Sequence, residues 1–520
     1  MMRTRTMLVP ALLVTGAALA LARPQGAEPG RALAAFADSV FAEWNSTHTP
    51  GCAVGAARNG ETLLLRAYGM ADLETGTPIT PQTIFESGSV AKQFTATAVL
   101  LLAFDGKLSL DDPVRRYVPE LPDYGAPITV RDLLAHTSGL REWSTLVAWQ
   151  GWPRGRRAHT PSDLLALVFR QRALNHAPGA DWSYTNSGYA IAALLVERAS
   201  GMPFAEFGRR RIFEPLGMRR TQWRDDFTRV VPGRAQAYAP RDDGWALDMP
   251  FEDVVGPGGL LTTVEDWLVW NRALADDRLA PGLADSLARP ARLRDGRETR
   301  YGLGLFVGTY RGVRELSHGG ATAGYRTFLA RYPDRGDLSI AVLCNAANAN
   351  PRAYAHRLAD RLLGDLPPEP EDVTDGRGAR PAGDDDPRAG RGERDRAAAA
   401  RYAGVYRDER RNTLLEVTRE MTARLRPLPD GSALAPDGAR WLLEPARDGR
   451  PARLVALEPD GETARYVRLA ERRWTPTADE LAAYAGRYRS DELDVTYELA
   501  VRGEALALVA DTRPGTTTPL

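Results

Sequence analysis

The residues most able to do chemistry are in Glu86-Ser87-Gly88-Ser89-Val90-Ala91-Lys92. From Val90 to Phe104 only Lys92, Gln93 and two threonines interrupt an apolar run, which Asp105-Gly106 ends. A helix that is apolar nearly all round is a buried helix, so the run predicts one over 90–104. Ser89 falls at its N-terminus, where unpaired N–H groups and the helix dipole favour developing negative charge. Lys92 follows one turn on, with its side chain on the same face. Burial lowers an amine's pKa and can leave it a neutral base at about pH 7. A serine hydroxyl is a weak nucleophile without such a base beside it. The spacing alone also fits a serine that caps the helix and a lysine that snorkels out of it. Composition tips the balance. Of 67 cations, Lys92 and Lys107 are the only lysines and the other 65 are arginine. Arginine suits a solvated surface as well as lysine does, but it cannot give up its proton.

A second candidate is Tyr184-Thr185-Asn186, within Pro178-Gly-Ala-Asp-Trp-Ser-Tyr-Thr-Asn-Ser-Gly188. Turn residues crowd the segment and a helix over 189–199 follows, so it lies on a loop feeding a helix N-terminus. Tyr184 offers a phenol able to shuttle a proton. Asn186 offers an amide that could orient Lys92 and hold a substrate carbonyl. The third candidate is Leu316-Ser317-His318-Gly319-Gly320-Ala321-Thr322. With the alternating Tyr325-Arg-Thr-Phe-Leu-Ala-Arg-Tyr332 and the apolar Leu338-Ser-Ile-Ala-Val-Leu-Cys344, it predicts three strands. Paired glycines let a substrate backbone approach the edge of the first strand. His318 has an ordinary pKa of about 6.5 and would be mostly neutral at pH ~7.5.

The elements that must position these groups fall into three blocks. From about Arg31 to Gly364, apolar strands alternate with amphipathic helices. Residues 365–400 read as a flexible linker, because Pro367 to Arg396 carries acidic and basic residues with Pro and Gly and almost nothing to bury. Residues 401–520 show short alternating runs separated by turns such as Pro429-Asp-Gly431, an all-β pattern. Here Tyr402-Ala-Gly-Val-Tyr-Arg407 recurs as Tyr484-Ala-Gly-Arg-Tyr-Arg489, and too little chain follows the second copy to complete it.

The bulk properties exclude several classes. With 520 residues, 43% hydrophobic and 26% charged, the chain reads as a soluble protein with more than one core. Acidic and basic residues balance at 67 each, and no basic stripe suggests nucleic acid. The six histidines lack metal-ligand spacing and no Gly-rich phosphate loop follows a strand, so neither a metal nor another cofactor is expected. Residues 1–22 resemble a secretory signal: Arg3 and Arg5, an apolar stretch from Met7 to Ala22, then Ala20-Leu21-Ala22. Its removal would leave an exported protein, periplasmic or extracellular, with no stable membrane span; an uncleaved N-terminal anchor is the alternative.

In order and spacing the three motifs resemble those of serine β-lactamase-like and penicillin-binding-protein-like hydrolases: S-x-x-K, Y-x-N about 95 residues on, and a short H/K-x-G strand about 130 further. The likeness is greatest to the branch of class C β-lactamases, D-aminopeptidases and related esterases. It covers roughly Phe36 to Leu363. It is supported by Ile128-Thr-Val-Arg-Asp-Leu-Leu-Ala-His-Thr-Ser-Gly-Leu140, Pro215-Leu-Gly-Met218 and Gly256-Pro-Gly-Gly-Leu-Leu-Thr-Thr263. Many relatives have Lys-Thr-Gly where this chain has His318-Gly319-Gly320. The resemblance implies an α/β (α+β) fold: an antiparallel sheet flanked by helices, an all-helical region, and a small lipocalin-like β region. It also implies acyl transfer. Ser89 would attack, Lys92 and Tyr184 would handle protons with either as the base, and the Ser89 and Ala321 N–H groups would form an oxyanion hole, with Asn186, His318 and Gly320 on the substrate.

His136 is expected to be structural, because no G-x-S-x-G elbow surrounds any serine. The expected substrates are esters, short peptides or cell-wall-derived amides, with weak or no β-lactamase activity. A non-hydrolytic protein that binds penicillin or peptidoglycan peptides is the rival reading. In the implied fold Cys52 and Cys344 are neighbours on adjacent strands, with buried free thiols expected and a disulfide the alternative. The chain beyond Arg396 is expected to be dispensable for catalysis.

Overall fold

The computed structural model describes residues 27–152, 154–364, 366, 398–408, 414–428, 430–435, 439–447, 451–457, 463–469, 476–510 and 517–519. The signal segment expected over 1–22 and nearly all of the linker expected over 365–400 lie outside the described residues.

The first block is built on a six-stranded antiparallel sheet. Its strands are β1 (Cys52–Arg58), β2 (Glu61–Tyr68), β3 (Phe306–Tyr310), β4 (Val313–Thr322), β5 (Tyr325–Tyr332) and β6 (Leu338–Cys344), in the order β3-β4-β5-β6-β1-β2. The first and last strands of this block thus pair inside the sheet. The central strands are buried on both faces, and successive side chains go to opposite sides. Val54, Ala56, Ile340 and Val342 join one core with the helices α1 (Ala27–Val40) and α7 (Pro351–Leu363). Ala53, Ala57, Ala341 and Leu343 join the other, larger core. That core includes α2 (Ala91–Phe104), α3 (Trp143–Trp149), α4 (Pro161–Phe169), α5 (Asn186–Ser200) and α6 (Val264–Ala275).

Cys52 and Cys344 form a disulfide rather than the expected free thiols. They are directly opposed in the β1–β6 register, with Cα atoms 4.0 Å apart and both side chains in the same core, so nothing separates the sulfurs.

Among its described residues the C-terminal block has antiparallel sheets of seven and four strands and short helices that include Arg419–Thr422 and Ala478–Tyr484. The seven-stranded sheet has its own core, including Tyr402, Tyr406, Leu425, Trp441 and Leu454. The four-stranded sheet contains β7 (Gly486–Ser490) and β8 (Val495–Arg502). The sequence repeat has a structural counterpart. In each copy the second tyrosine's hydroxyl donates to the first tyrosine's carbonyl, at 2.8 Å (Tyr406 to Tyr402) and 3.0 Å (Tyr488 to Tyr484). Tyr406 is fully buried, whereas Tyr488 is 47% exposed.

Candidate active site

Ser89 stands on a tight turn between a short strand and α2. Phe85–Glu86 pairs with Leu260–Thr262, the Ser87 N–H donates to the Leu260 carbonyl at 2.8 Å, and Thr327 Oγ1 on β5 donates to the Ser87 carbonyl at 2.7 Å. The Gly88–Val90 turn then leads into α2, which is buried from Ala91 to Leu102, as an all-apolar helix must be. Glycine at 320 is required by close approach, because a Cβ there would sit 2.0 Å from the Ser87 carbonyl oxygen. This contact brings β4 against the turn and sets Ala321 beside Gly88.

Lys92 is fully buried; its Nζ donates to Asn186 Oδ1 at 2.8 Å and the Pro257 carbonyl at 2.8 Å, and it lies 3.1 Å from Ser89 Oγ. Burial pushes its amine well below the ordinary value; the Glu142 carboxylate pulls the other way and Arg154 adds to the push. The Tyr184 ring centroid lies 4.8 Å from the same nitrogen. The fold therefore gathers Ser89, Lys92, Tyr184 and Asn186 at one point. Helix α5 starts three residues earlier than the sequence suggested, at Asn186 instead of 189. Thr185 is extended and its side chain accepts from the Ser187 N–H, so it caps the helix. Asn186 is consequently held on rigid helix.

Glu142, which the sequence reading did not single out, secures that helix end. One carboxylate oxygen accepts from the Asn186 N–H at 2.5 Å and Thr185 Oγ1 at 3.0 Å. The other accepts from Asn186 Nδ2 at 3.1 Å and Ser144 Oγ at 2.8 Å. Four donors, with the Ser144 N–H at 3.3 Å as a fifth, fill a carboxylate that offers about four lone-pair sites, leaving none for base work. In the sequence it signals only a helix cap after His-Thr-Ser-Gly-Leu140. Pro257, also missed, supplies a carbonyl, which no side-chain pattern reveals.

His136 has the structural place expected of it. Its carbonyl accepts from the Ser183 N–H at 2.9 Å, its Nδ1 accepts from the Thr185 N–H at 3.2 Å, and its ring lies 4.2 Å from that of Tyr184. Burial, with Lys92 and His318 nearby, holds its pKa well below the usual histidine range.

His318 is where expectation and structure part. It is 2% exposed, its Nδ1 lies 2.6 Å from the Gly319 carbonyl, and its Nε2 lies 3.1 Å from the Tyr301 hydroxyl. A carbonyl only accepts, so Nδ1 carries the proton and Nε2 accepts from Tyr301. Burial and then the Lys92 charge push its pKa down to about 3, so the titration expected near pH ~6.5 does not occur. The strand instead offers its backbone: Gly319 and Gly320 are half-buried and Ala321 is exposed.

Beneath the turn lies a charged floor. Arg224 donates to both oxygens of buried Glu86 at 2.9 Å, and Arg234 joins at 3.2 Å. Burial would raise the Glu86 pKa, but these arginines, with Arg154, hold it low. Arg154 binds Glu252 with two nitrogens and reaches Thr322 Oγ1 at 3.2 Å, so the cation at this end of β4 is already paired. Among the described residues, no group of three or more His, Cys, Asp or Glu could hold a metal ion.

Known proteins are similar to this chain. The penicillin-binding protein 4* of Bacillus subtilis is 30% identical over 319 residues, covering 57% of this chain and 68% of that protein. A D-aminopeptidase from Gluconobacter oxydans is 29% identical over 484 residues, covering 87% of this chain and 82% of that protein. The octameric penicillin-binding protein homologue of Pyrococcus abyssi shares the fold with a TM-score of 0.59 at 21% identity, over 92% of this chain and 98% of that one. The Beta-lactamase family profile matches residues 32–365, and the chain belongs to that family.

Proposed function

We propose that this serine hydrolase of the β-lactamase family works by acyl-enzyme formation on Ser89 and cleaves short peptides, amides or esters after export, in the periplasm or outside the cell. The observation that carries the proposal is the fully buried Lys92 amine, 3.1 Å from the Ser89 hydroxyl and fixed by two further acceptors. Ser89 Oγ attacks the substrate carbonyl carbon while its proton passes to the Lys92–Tyr184 pair. The oxyanion is met by the Ser89 and Ala321 N–H groups. The carbonyl–leaving-group bond then breaks, the leaving amine or alcohol takes that proton, and water hydrolyses the acyl-enzyme.

The substrate preference follows from the third motif. A permanent cation there would suit a donor bearing a carboxylate, but His318 is neutral and turned to Tyr301. Losing a charge-assisted hydrogen bond costs about 1–3 kcal/mol. Uncharged or amine-bearing donors are therefore favoured, with β-lactams poor. The D-aminopeptidase relatives agree with this preference. Export is supported by the Cys52–Cys344 disulfide, because such bonds persist in oxidising compartments.

A comparison of D-alanine p-nitroanilide, p-nitrophenyl butyrate and nitrocefin tests the substrate reading; nitrocefin as the best substrate would refute it. Acylation without turnover on all three would favour the non-hydrolytic binding protein. Thiol titration of denatured, unreduced protein recovered from outside the cell should find no free cysteine. Two free thiols per chain there would remove the support for export.

A further inference from the structure

The turn between β7 and β8 reaches the catalytic corner. Residues 491–494 form an acidic finger, Asp491-Glu492-Leu493-Asp494, received by Arg141, Arg170 and Arg172. The Arg172–Asp491 and Arg170–Asp494 pairs are largely exposed, and such pairs stabilise little. Glu492 is better shielded. It binds Arg141 Nη1 at 3.2 Å and the Arg172 N–H at 2.7 Å, while its carbonyl accepts from Gln171 Nε2 at 3.1 Å. Leu493 packs on the larger core, and its carbonyl accepts from Gln150 Nε2 at 2.5 Å. Arg141 and Gln150 flank α3, so the finger grips that helix at both ends. The N-cap of α3 is Glu142, which holds Asn186 against Lys92. The Arg141 carbonyl also accepts from Ser187 Oγ at 2.7 Å, tying the same corner to α5.

We infer that Glu492 is a positioning residue: through the Arg141–Glu142 corner it fixes Asn186 and thereby the Lys92–Ser89 contact. On this inference the second β unit belongs to the active-site framework, against the expectation that everything beyond Arg396 is dispensable. The activity readout of this inference rests on the proposed serine-hydrolase chemistry; its structural readout does not.

The test uses full-length Glu492→Ala, with Glu492→Gln as the conservative variant and Asp491→Asn as a control on the same finger. Two quantities are read: amide hydrogen exchange at residues 185–187 and the rate at which a fluorophosphonate labels Ser89. Glu492→Ala should speed exchange and slow labelling by about tenfold each, the scale of a slightly misplaced catalytic group. The KM for p-nitrophenyl butyrate should change by less than about threefold, because substrate contacts remain. Glu492→Gln still accepts from Arg141 and the Arg172 N–H, so it should recover most of the loss; Asp491→Asn should behave as wild type. Unchanged exchange and labelling in Glu492→Ala would overturn the inference, as would an Asp491→Asn variant equally impaired. If wild type fails to label while exchange still responds to Glu492→Ala, positioning is supported and the chemistry is refuted.

Discussion

Lys92 and His318, contributed by the first and third motifs, are both buried and both pushed toward their neutral forms, yet they keep different company. Lys92 Nζ lies within hydrogen-bond distance of three oxygens, so that the neutral amine gives its two N–H groups to Asn186 and Pro257 and turns its lone pair to the Ser89 hydroxyl it would activate. His318 spends its single N–H on the neighbouring Gly319 carbonyl and its lone pair on Tyr301. Burial and a displaced pKa are therefore not enough to mark a catalytic group. What separates the two is whether a reactive atom stands among the partners.

The substitution that should break this contrast most severely is Lys92→Arg. Arginine keeps the charge but cannot deprotonate, so kcat/KM for p-nitrophenyl butyrate should fall by about a thousandfold in a folded protein. Activity within about tenfold of wild type would erase the distinction between the two corners. Glu142→Gln comes next, with an expected loss of about ten- to a hundredfold, because Asn186 loses a charged anchor. It carries a signature as well. Glu142 raises the Lys92 pKa, so its neutralisation should move the acid limb of the pH–rate profile to lower pH. A shift to higher pH would contradict the assignment.

The smallest effect concerns His318 and appears in stability, not in rate. Its folded pKa of about 3 lies below the ordinary 6.5, so the unfolded chain binds the proton more readily. Stability is fully present above pH ~6.5 and is lost as pH falls toward about 3, by up to about 1.4 kcal/mol per pH unit. Urea unfolding at several pH values should show this slope in wild type and a shallower one in His318→Gln. Between pH ~5.5 and ~8 no rate inflection should disappear with that substitution.

The sequence made most of the fold legible because its patterns were strong. The apolar run after Ser89 could only be a buried helix, and the strands that follow His318 read clearly, one alternating and one apolar throughout. The clustering of Ser89, Lys92, Tyr184 and Asn186 was legible because their side-chain types and spacing pointed to it. The site was not legible where position matters more than type. Pro257 acts through a backbone carbonyl, and Glu142 resembles any helix cap until its partners are known. The pairing of His318 with Tyr301, from the segment just before β3, depends on how the β3–β4 edge closes over the ring, which no side-chain pattern announces. The finger around Glu492 was hidden for a related reason: a charged turn far along the chain reads as solvated surface, and only the folded chain shows the arginines opposite it.

The central claim is that Ser89 is the nucleophile and the neutral Lys92 amine its activator. Its most direct test is the mass and labelling rate of the fluorophosphonate adduct in wild type, Ser89→Ala and Lys92→Arg. One adduct on the peptide spanning 86–92, absent from Ser89→Ala and slowed by about a thousandfold in Lys92→Arg, is the result expected. An adduct on any other residue, or labelling of Lys92→Arg at the wild-type rate, would contradict the account.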